Sequence, residues 1–247
     1  MTTHRSVIVT GGASGIGKAA AQLLARAGDA VTIADLDVTA GEQLARNIAS
    51  VGGRAQFVRT DVTNEENVRA MVARAVSTFG KLDAAINSAG VPQRGRPLHE
   101  LTAEDWDFCN GINLRGMFLC LKHEIAAMLG TGGAIVAVSS AAAVKGLINS
   151  TDYCASKAGV TGLVRGAAVD YAEAGIRINA LLPGGTDTPL AHRSSAANPK
   201  VAQQVRIPVG RLATPEEIAA SAVWMISDQA SYMTGACVVI DGGMTIV

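Results

Sequence analysis

The segment Thr10-Gly11-Gly12-Ala13-Ser14-Gly15-Ile16-Gly17 lies between a short apolar run and a stretch of helical character. Few local sequences constrain a fold more. Glycines permit a tight turn and let the backbone approach a ligand closely. The helix that follows presents free N–H groups and a partial positive charge, which suits a pyrophosphate. An isolated glycine cluster fits an ordinary loop equally well. Here the strand before and the helix after set it apart. The order predicts a parallel sheet that starts at Ser6–Thr10. Gly11, Ser14, Gly15, Ile16 and Gly17 are then the expected phosphate cradle.

The rest of the chain repeats that alternation. Strand-like runs occur at Ser6–Thr10, Ala30–Asp35, Ala55–Arg59, Leu82–Asn87, Ala134–Ser139, Ile176–Leu182 and Ala236–Asp241. Several are continuous Val/Ile/Ala stretches, as in strands buried on both faces. Helical stretches fall near Gly15–Gly28, Thr39–Val51, Glu65–Phe79, Ala103–Leu129, Asp152–Ala174 and Pro215–Ser227. Caps are expected where Thr63-Asn64, Thr102 and Thr214 precede acidic residues. Alternating β and α segments predict an α/β fold, a Rossmann-type doubly wound parallel sheet of about seven strands. No linker or internal repeat divides the 247 residues, so one domain over 1–247 is expected. The irregular stretch Gly184–Pro208 is the candidate flap over a site.

Composition narrows the function classes. There are 21 basic and 21 acidic residues, with no long block of either sign. A nucleic-acid or anionic-membrane partner would need a positive field that this chain lacks. No apolar run is long enough for a membrane span. The amino-terminal MTTHRSVIVTGG reaches its glycines too early for a secretory signal. Cys109, Cys120, Cys154 and Cys237 form no C-x-x-C pair, so neither a metal site nor a disulfide framework is expected. Free thiols fit a reducing compartment, and the cytoplasm is the expected location.

Asp35 ends the second strand at the spacing from Gly15 that places a carboxylate on an adenosine ribose. It would accept the 2′-OH and repel a 2′-phosphate. Its neighbour Leu36 and the loop residue Ser14 offer no cation, which favours NAD over NADP. Asp61-Val62 follows the third strand, where an adenine edge would lie; Asp61 serves equally well as a turn residue. Asn87-Ser88-Ala89-Gly90 follows the fourth strand and would let the backbone pass close to a cofactor.

Tyr153 and Lys157 are four residues apart and share a face if the segment is helical. A free phenol titrates near 10 and is a poor base at neutrality. A nearby ammonium lowers that value. Tyr153 is then able to pass a proton to or from an alcohol oxygen. The spacing alone is common on helix surfaces. Ser140, at the end of the fifth strand and thirteen residues upstream, adds a hydroxyl where open α/β sheets bind ligands.

Taken in order, these motifs resemble the classical branch of the short-chain dehydrogenase/reductase family from Ser6 to Gly243. They are TGGASGIG, DV at Asp61-Val62, NSAG at Asn87–Gly90, Asn113 in INLRG, Ser140 in VSS, YCASK at Tyr153–Lys157, RINALLPGGTDTP at Arg177–Pro189 and DGG at Asp241–Gly243. The resemblance implies Tyr153 as general acid/base and Lys157 as its partner on the nicotinamide ribose. It implies Ser140 as the hydroxyl that orients the substrate oxygen, and Asn113 as holder of a relay water. Pro183, Gly184, Thr186 and Thr188 would flank the nicotinamide and pyrophosphate; Thr188 also suits a helix cap before Pro189. Ser88 departs from the family's usual second Asn, with a minor effect expected. A homotetramer is the family's common assembly.

The expected activity is NAD-linked interconversion of a small neutral secondary alcohol and its ketone. The alternatives are an NADPH-linked carbonyl or 3-oxoacyl reductase, and a dinucleotide-binding regulator without turnover. The substrate pocket is expected to involve Ser140, Ala142, Ile148, Gln93–Arg96, Gly184-Gly185 and Leu190–Ile207. Arg94, Arg96, Lys145 and Arg193 read as solvated surface positions. His99, His123 and His192 read as surface or loop residues, His192 being a weaker pocket candidate. Trp106 and Trp224 read as packing residues.

Overall fold

The computed structural model describes residues 4–247, apart from the side chain of Ala202. The first three residues, part of the stretch read above for a signal sequence, lie outside the described residues. Strands β1 (Ser6–Thr10), β2 (Ala30–Asp35), β3 (Arg54–Arg59), β4 (Ala84–Asn87), β5 (Gly133–Val138), β6 (Ile176–Pro183) and β7 (Cys237–Ile240) form one sheet. Its order is β3-β2-β1-β4-β5-β6-β7, and every pairing is parallel. Chain direction of winding reverses between β1 and β4. A crevice opens there at the carboxyl ends of the strands, where ligands of such sheets bind.

The central strands explain their own composition. All five residues of β1 are buried, because helices cover both faces. Ile8 packs on one side with α3 (Glu65–Phe79), α5 (Gly116–Met128) and α6 (Thr151–Tyr171). Val7 and Val9 pack on the other with α1 (Gly15–Arg26), α2 (Val38–Ser50) and α9 (Pro215–Met225). Burying a side chain such as Ile8 contributes roughly 1.5–3 kcal/mol. The expected caps form. Asn64 and Thr102 accept from the amides of Asn67 and Asp105, both at 3.1 Å, and Thr214 makes a capping box with Glu217.

Two expectations need correction. The helix predicted over Ala103–Leu129 is not uniform: α4 (Ala103–Asn110) passes through a π-helical turn at Gly111–Arg115 before α5 begins. Asn113 sits in that turn, fully buried. Its carboxamide accepts from Val91 N at 2.8 Å and donates to Val91 O at 3.0 Å. That grip on a neighbouring loop is the physical reason for the widened turn, and π turns of this kind gather at functional sites. The stretch Gly184–Pro208 is also more regular than expected. It holds α7 (Pro189–Ala197) and α8 (Pro199–Gln204), each opened by a proline at its first turn, where the missing N–H costs nothing. No helix among the described residues is long and apolar enough to cross a membrane.

Candidate active site

A cavity of about 980 Å³ follows the carboxyl edge of the sheet from Asp35 to Met244. Gly11, Ser14, Gly15 and Ile16 line one end. Gly11 and Gly15 have φ of +63° and +49°, backbone that side-chain-bearing residues rarely adopt. A Cβ on Gly11 would lie 2.8 Å from Ala89 N, so the loop and the β4 turn form a close-fitting cradle. That cradle, together with the α1 amino terminus, fits a pyrophosphate. Gly17 does not line the cavity. It lies beneath the loop, where a Cβ would run into the Gly11 carbonyl oxygen.

Asp35 and Leu36 close this end. The Asp35 carboxylate is held by two backbone donors, Ala13 N at 3.0 Å and Asp37 N at 3.1 Å. Each oxygen keeps a free lone pair for a further donor. Asp61, Val62, Ala89 and Gly90 line the next section. Asp61 does act as a turn residue, since its Oδ1 accepts from Thr63 N and Thr63 Oγ1 at 2.9 and 2.7 Å. Asn87 is buried and off the cavity, joined to Thr10 and Glu124.

Ser140, Tyr153 and Lys157 meet in the middle of the cavity. The i, i+4 spacing on α6 puts Tyr153 and Lys157 on one face, and the end of β5 brings Ser140 opposite. Lys157 is almost fully buried. Its Nζ donates to Val138 O at 3.0 Å and lies 5.7 Å from the centre of the Tyr153 ring. Burial lowers the Lys157 ammonium to about 8. The phenol does not carry the lowered value expected from spacing. Burial pushes Tyr153 up to about 12, against a smaller downward pull from the Ser140 hydroxyl. The ring is only partly covered and opens on the cavity, so water there opposes the upward push. In the protein alone the direction is nevertheless up, because burial outweighs the Ser140 hydrogen bond.

Asn113 reaches this centre from behind rather than lining it. Besides Val91, its Nδ2 donates to Ser156 Oγ at 3.2 Å. The Nδ2 group is committed to Val91 O and Ser156 Oγ, while Oδ1 keeps a second lone pair beside the Val91 amide. Pro183, Gly184, Thr186 and Thr188 do line the cavity. Thr188 both lines it and caps α7, accepting from Ala191 N at 3.1 Å.

The far wall departs in part from expectation. Gln93, Gly185 and the α7 residues Leu190 and Ser194 line it, as expected, and so does Arg193, which had read as a solvated surface position. Ala142, Ile148, Arg94 and Arg96 do not line it. Arg94 packs over the Phe108 ring at 4.0 Å, and Arg96 pairs with Asp105. His192 pairs with Asp187 at the surface and is not a lining residue. His123 has a spatial acidic partner in Glu65 at 3.1 Å. Trp106 and Trp224 are half-exposed and lie off the cavity. Phe108, Leu147, Leu212 and Met244 line it without having been foreseen. They arrive from α4 and from three other places along the chain, and no local pattern marks them. Gln93 Nε2 donates to Ser194 Oγ at 2.7 Å, and Asn198 Nδ2 donates to Ile148 O at 2.8 Å. These bonds hold α7 down as a roof.

A fold of this order with this cleft defines a dinucleotide-binding oxidoreductase. A family model described as Enoyl-(Acyl carrier protein) reductase matches residues 11–245. The chain belongs to the short-chain dehydrogenase/reductase family, whose members interconvert alcohols and ketones with a nicotinamide dinucleotide. It is 46% identical over 245 residues to the cis-4-hydroxycyclohexanecarboxylate dehydrogenase of Sinomonas cyclohexanicum, covering 99% of this chain and 98% of the relative. It is 43% identical over 247 residues to the 2,5-dichloro-2,5-cyclohexadiene-1,4-diol dehydrogenase of Sphingobium indicum, covering 98% of each. Among solved structures, levodione reductase superposes with a TM-score of 0.95 at 34% identity over the whole of both chains.

Proposed function

We propose that this protein is an NAD(H)-dependent dehydrogenase of a small, neutral secondary alcohol carried on a six-membered ring. The carrying observation is the convergence of Ser140, Tyr153 and Lys157 on one cavity beside the glycine cradle. The ring is suggested by the names of the similar enzymes, two of which act on cyclohexane or cyclohexadiene alcohols. Neutrality is suggested by Val91, Phe108, Leu147, Val205, Leu212 and Met244, which make up most of the wall beyond Tyr153; Arg193 also lines the cavity, and the named substrate of the Sinomonas relative carries a carboxylate on its ring. NAD is favoured by Asp35, whose carboxylate would accept a ribose diol and repel a 2′-phosphate.

When bound, the cofactor supplies the hydride acceptor for oxidation and the donor for reduction. The chain's residues manage the proton. Ser140 Oγ donates to the substrate oxygen and fixes the carbinol carbon in place. The Tyr153 phenolate takes the hydroxyl proton as the C–H bond gives up its hydride; the phenol returns it in the reverse direction. The Lys157 ammonium would help hold the nicotinamide ribose, and its charge favours the phenolate. Asn113 holds the Val91 loop beside Lys157 and is read, by family resemblance, as the holder of a relay water. The α7 roof excludes bulk water from the reacting centre.

The assembly is read as a homotetramer by family resemblance. The location is read as cytoplasmic from the four free thiols. The test is NADH formation across a panel of cyclohexanols and open-chain secondary alcohols of equal carbon number. Turnover of the cyclic members with NAD is the expected result. Turnover confined to open-chain alcohols, or to NADP, contradicts the reading.

A further inference from the structure

Glu124 is a carboxyl group in an unexpected place. It sits on α5 with no exposed surface, facing the sheet rather than water. Its Oε2 accepts from Asn87 Nδ2 at 2.7 Å, across 37 residues of chain. Its Oε1 is buried with no hydrogen-bond partner. Burial pushes the carboxyl up to about 7, against the pull of the Asn87 bond. A leucine would fill this position without any desolvation cost. A polar group retained here points to a task for the hydrogen bond.

The bond leads to the cofactor cradle. Asn87 has donors on one side of its carboxamide and an acceptor on the other. With Nδ2 fixed on Glu124, Oδ1 is aimed at Thr10 and accepts from Thr10 Oγ1 at 3.2 Å. Thr10 Oγ1 in turn accepts from Ala89 N at 3.4 Å. Thr10 begins the glycine loop, and Ala89 is the residue against which Gly11 is packed. Without an acceptor at 124, the Asn87 carboxamide is free to flip. Thr10 would then face a donor and lose its fixed orientation toward Ala89.

We propose that Glu124 is a positioning residue for the cofactor cradle, acting through Asn87 and Thr10 to hold the Gly11 loop against the Ala89 turn. This rests on the reading of the cleft as a nicotinamide-dinucleotide site. Glu124 touches neither cofactor nor substrate, and no proton moves through it during turnover.

The experiment compares Glu124→Ala and Glu124→Gln with the intact full-length protein, reading the NADH dissociation constant by fluorescence titration. Loss of one orienting hydrogen bond corresponds to about a tenfold weaker NADH affinity for Glu124→Ala. Its kcat at saturating NAD stays within about twofold of wild type, because the reacting centre is untouched. Glu124→Gln retains an acceptor for Asn87 Nδ2 and restores affinity to within about threefold. If Glu124→Ala melts early but binds NADH as tightly as wild type, Glu124 is merely a packing residue and the proposal is overturned. If Glu124→Ala does not fold, Thr10→Val cuts the same chain of bonds with little change of shape. Comparable weakening by Thr10→Val supports the proposal, and unchanged affinity overturns it. Failure of the wild type to bind NADH or NADPH at all would instead strike the functional reading beneath it.

Discussion

Lys157 Nζ donates to the main-chain oxygen of Val138 at 3.0 Å, tying α6 to the end of β5 beside Tyr153. In the protein alone the ammonium therefore serves the sheet and not the phenol. Burial accordingly dominates both groups, lowering Lys157 to about 8 and raising Tyr153 to about 12. On the proposed reading, the phenolate would form only in the complex, where Lys157 would help hold the nicotinamide ribose.

The pH dependence has opposite signs in the two directions. Oxidation needs the phenolate, whose population rises about tenfold per pH unit below its pKa. Alcohol kcat/KM is expected to climb between about pH 7 and 9, and ketone kcat/KM to fall or stay level over the same range. Steady-state profiles in both directions check this. An oxidation profile that falls as pH rises through that window would remove Tyr153 as the base.

Replacing Lys157 by Met keeps the length of the stem and removes the charge. The expected loss in kcat/KM is about 10²-fold or more. Thermal stability at neutral pH should hold or improve, since a buried ammonium lowered from 10.5 to about 8 opposes folding in full below about pH 8, a cost relieved only as pH rises from there toward 10.5. Unimpaired turnover at neutral pH would show that the ammonium has no part in the chemistry.

Asp35 offers a charge test. Asp35→Asn removes the repulsion of a 2′-phosphate while keeping a hydrogen-bonding group. The ratio of NADPH to NADH affinity should rise by about tenfold or more in the variant. Parallel titrations with both dinucleotides measure it. An unchanged ratio would mean that this end of the cavity does not hold the adenosine ribose.

Stability should also report on Glu124. Its carboxyl is raised from 4.5 to about 7, so the folded state binds more protons than the unfolded chain between those values. Folding is favoured most below that window and loses stability as pH rises through it. Glu124→Gln has no such slope and is expected to be more stable than wild type at about pH 8, by about 3 kcal/mol. Urea melts at about pH 5 and 8 separate the two curves. Parallel curves would place the carboxyl outside that window.

What was legible in the sequence was local. Gly11 and Gly15 adopt backbone that few other residues tolerate, and the Val/Ile runs of β1 and β2 carry the mark of two covered faces. The i, i+4 relation of Tyr153 and Lys157 needs only a helix. What was hidden depends on partners distant in the chain. The π turn exists because Asn113 grips Val91, 22 residues away, and a single added residue barely alters helical periodicity. The Glu124–Asn87 bond spans 37 residues. Burial decides the Tyr153 pKa, and burial depends on what distant parts of the chain pack around α6, which spacing does not encode.

The central claim is that Tyr153 carries the proton while NAD(H) exchanges the hydride. Its most direct measurement is Tyr153→Phe, assayed by NADH formation on the best alcohol and by NADH fluorescence titration on the same preparation. The expected result is a fall in kcat/KM of at least about 10²-fold. Cofactor affinity should stay within about threefold of wild type, since the phenyl ring keeps the shape of the wall. Turnover undiminished in a variant that still binds NADH would contradict it.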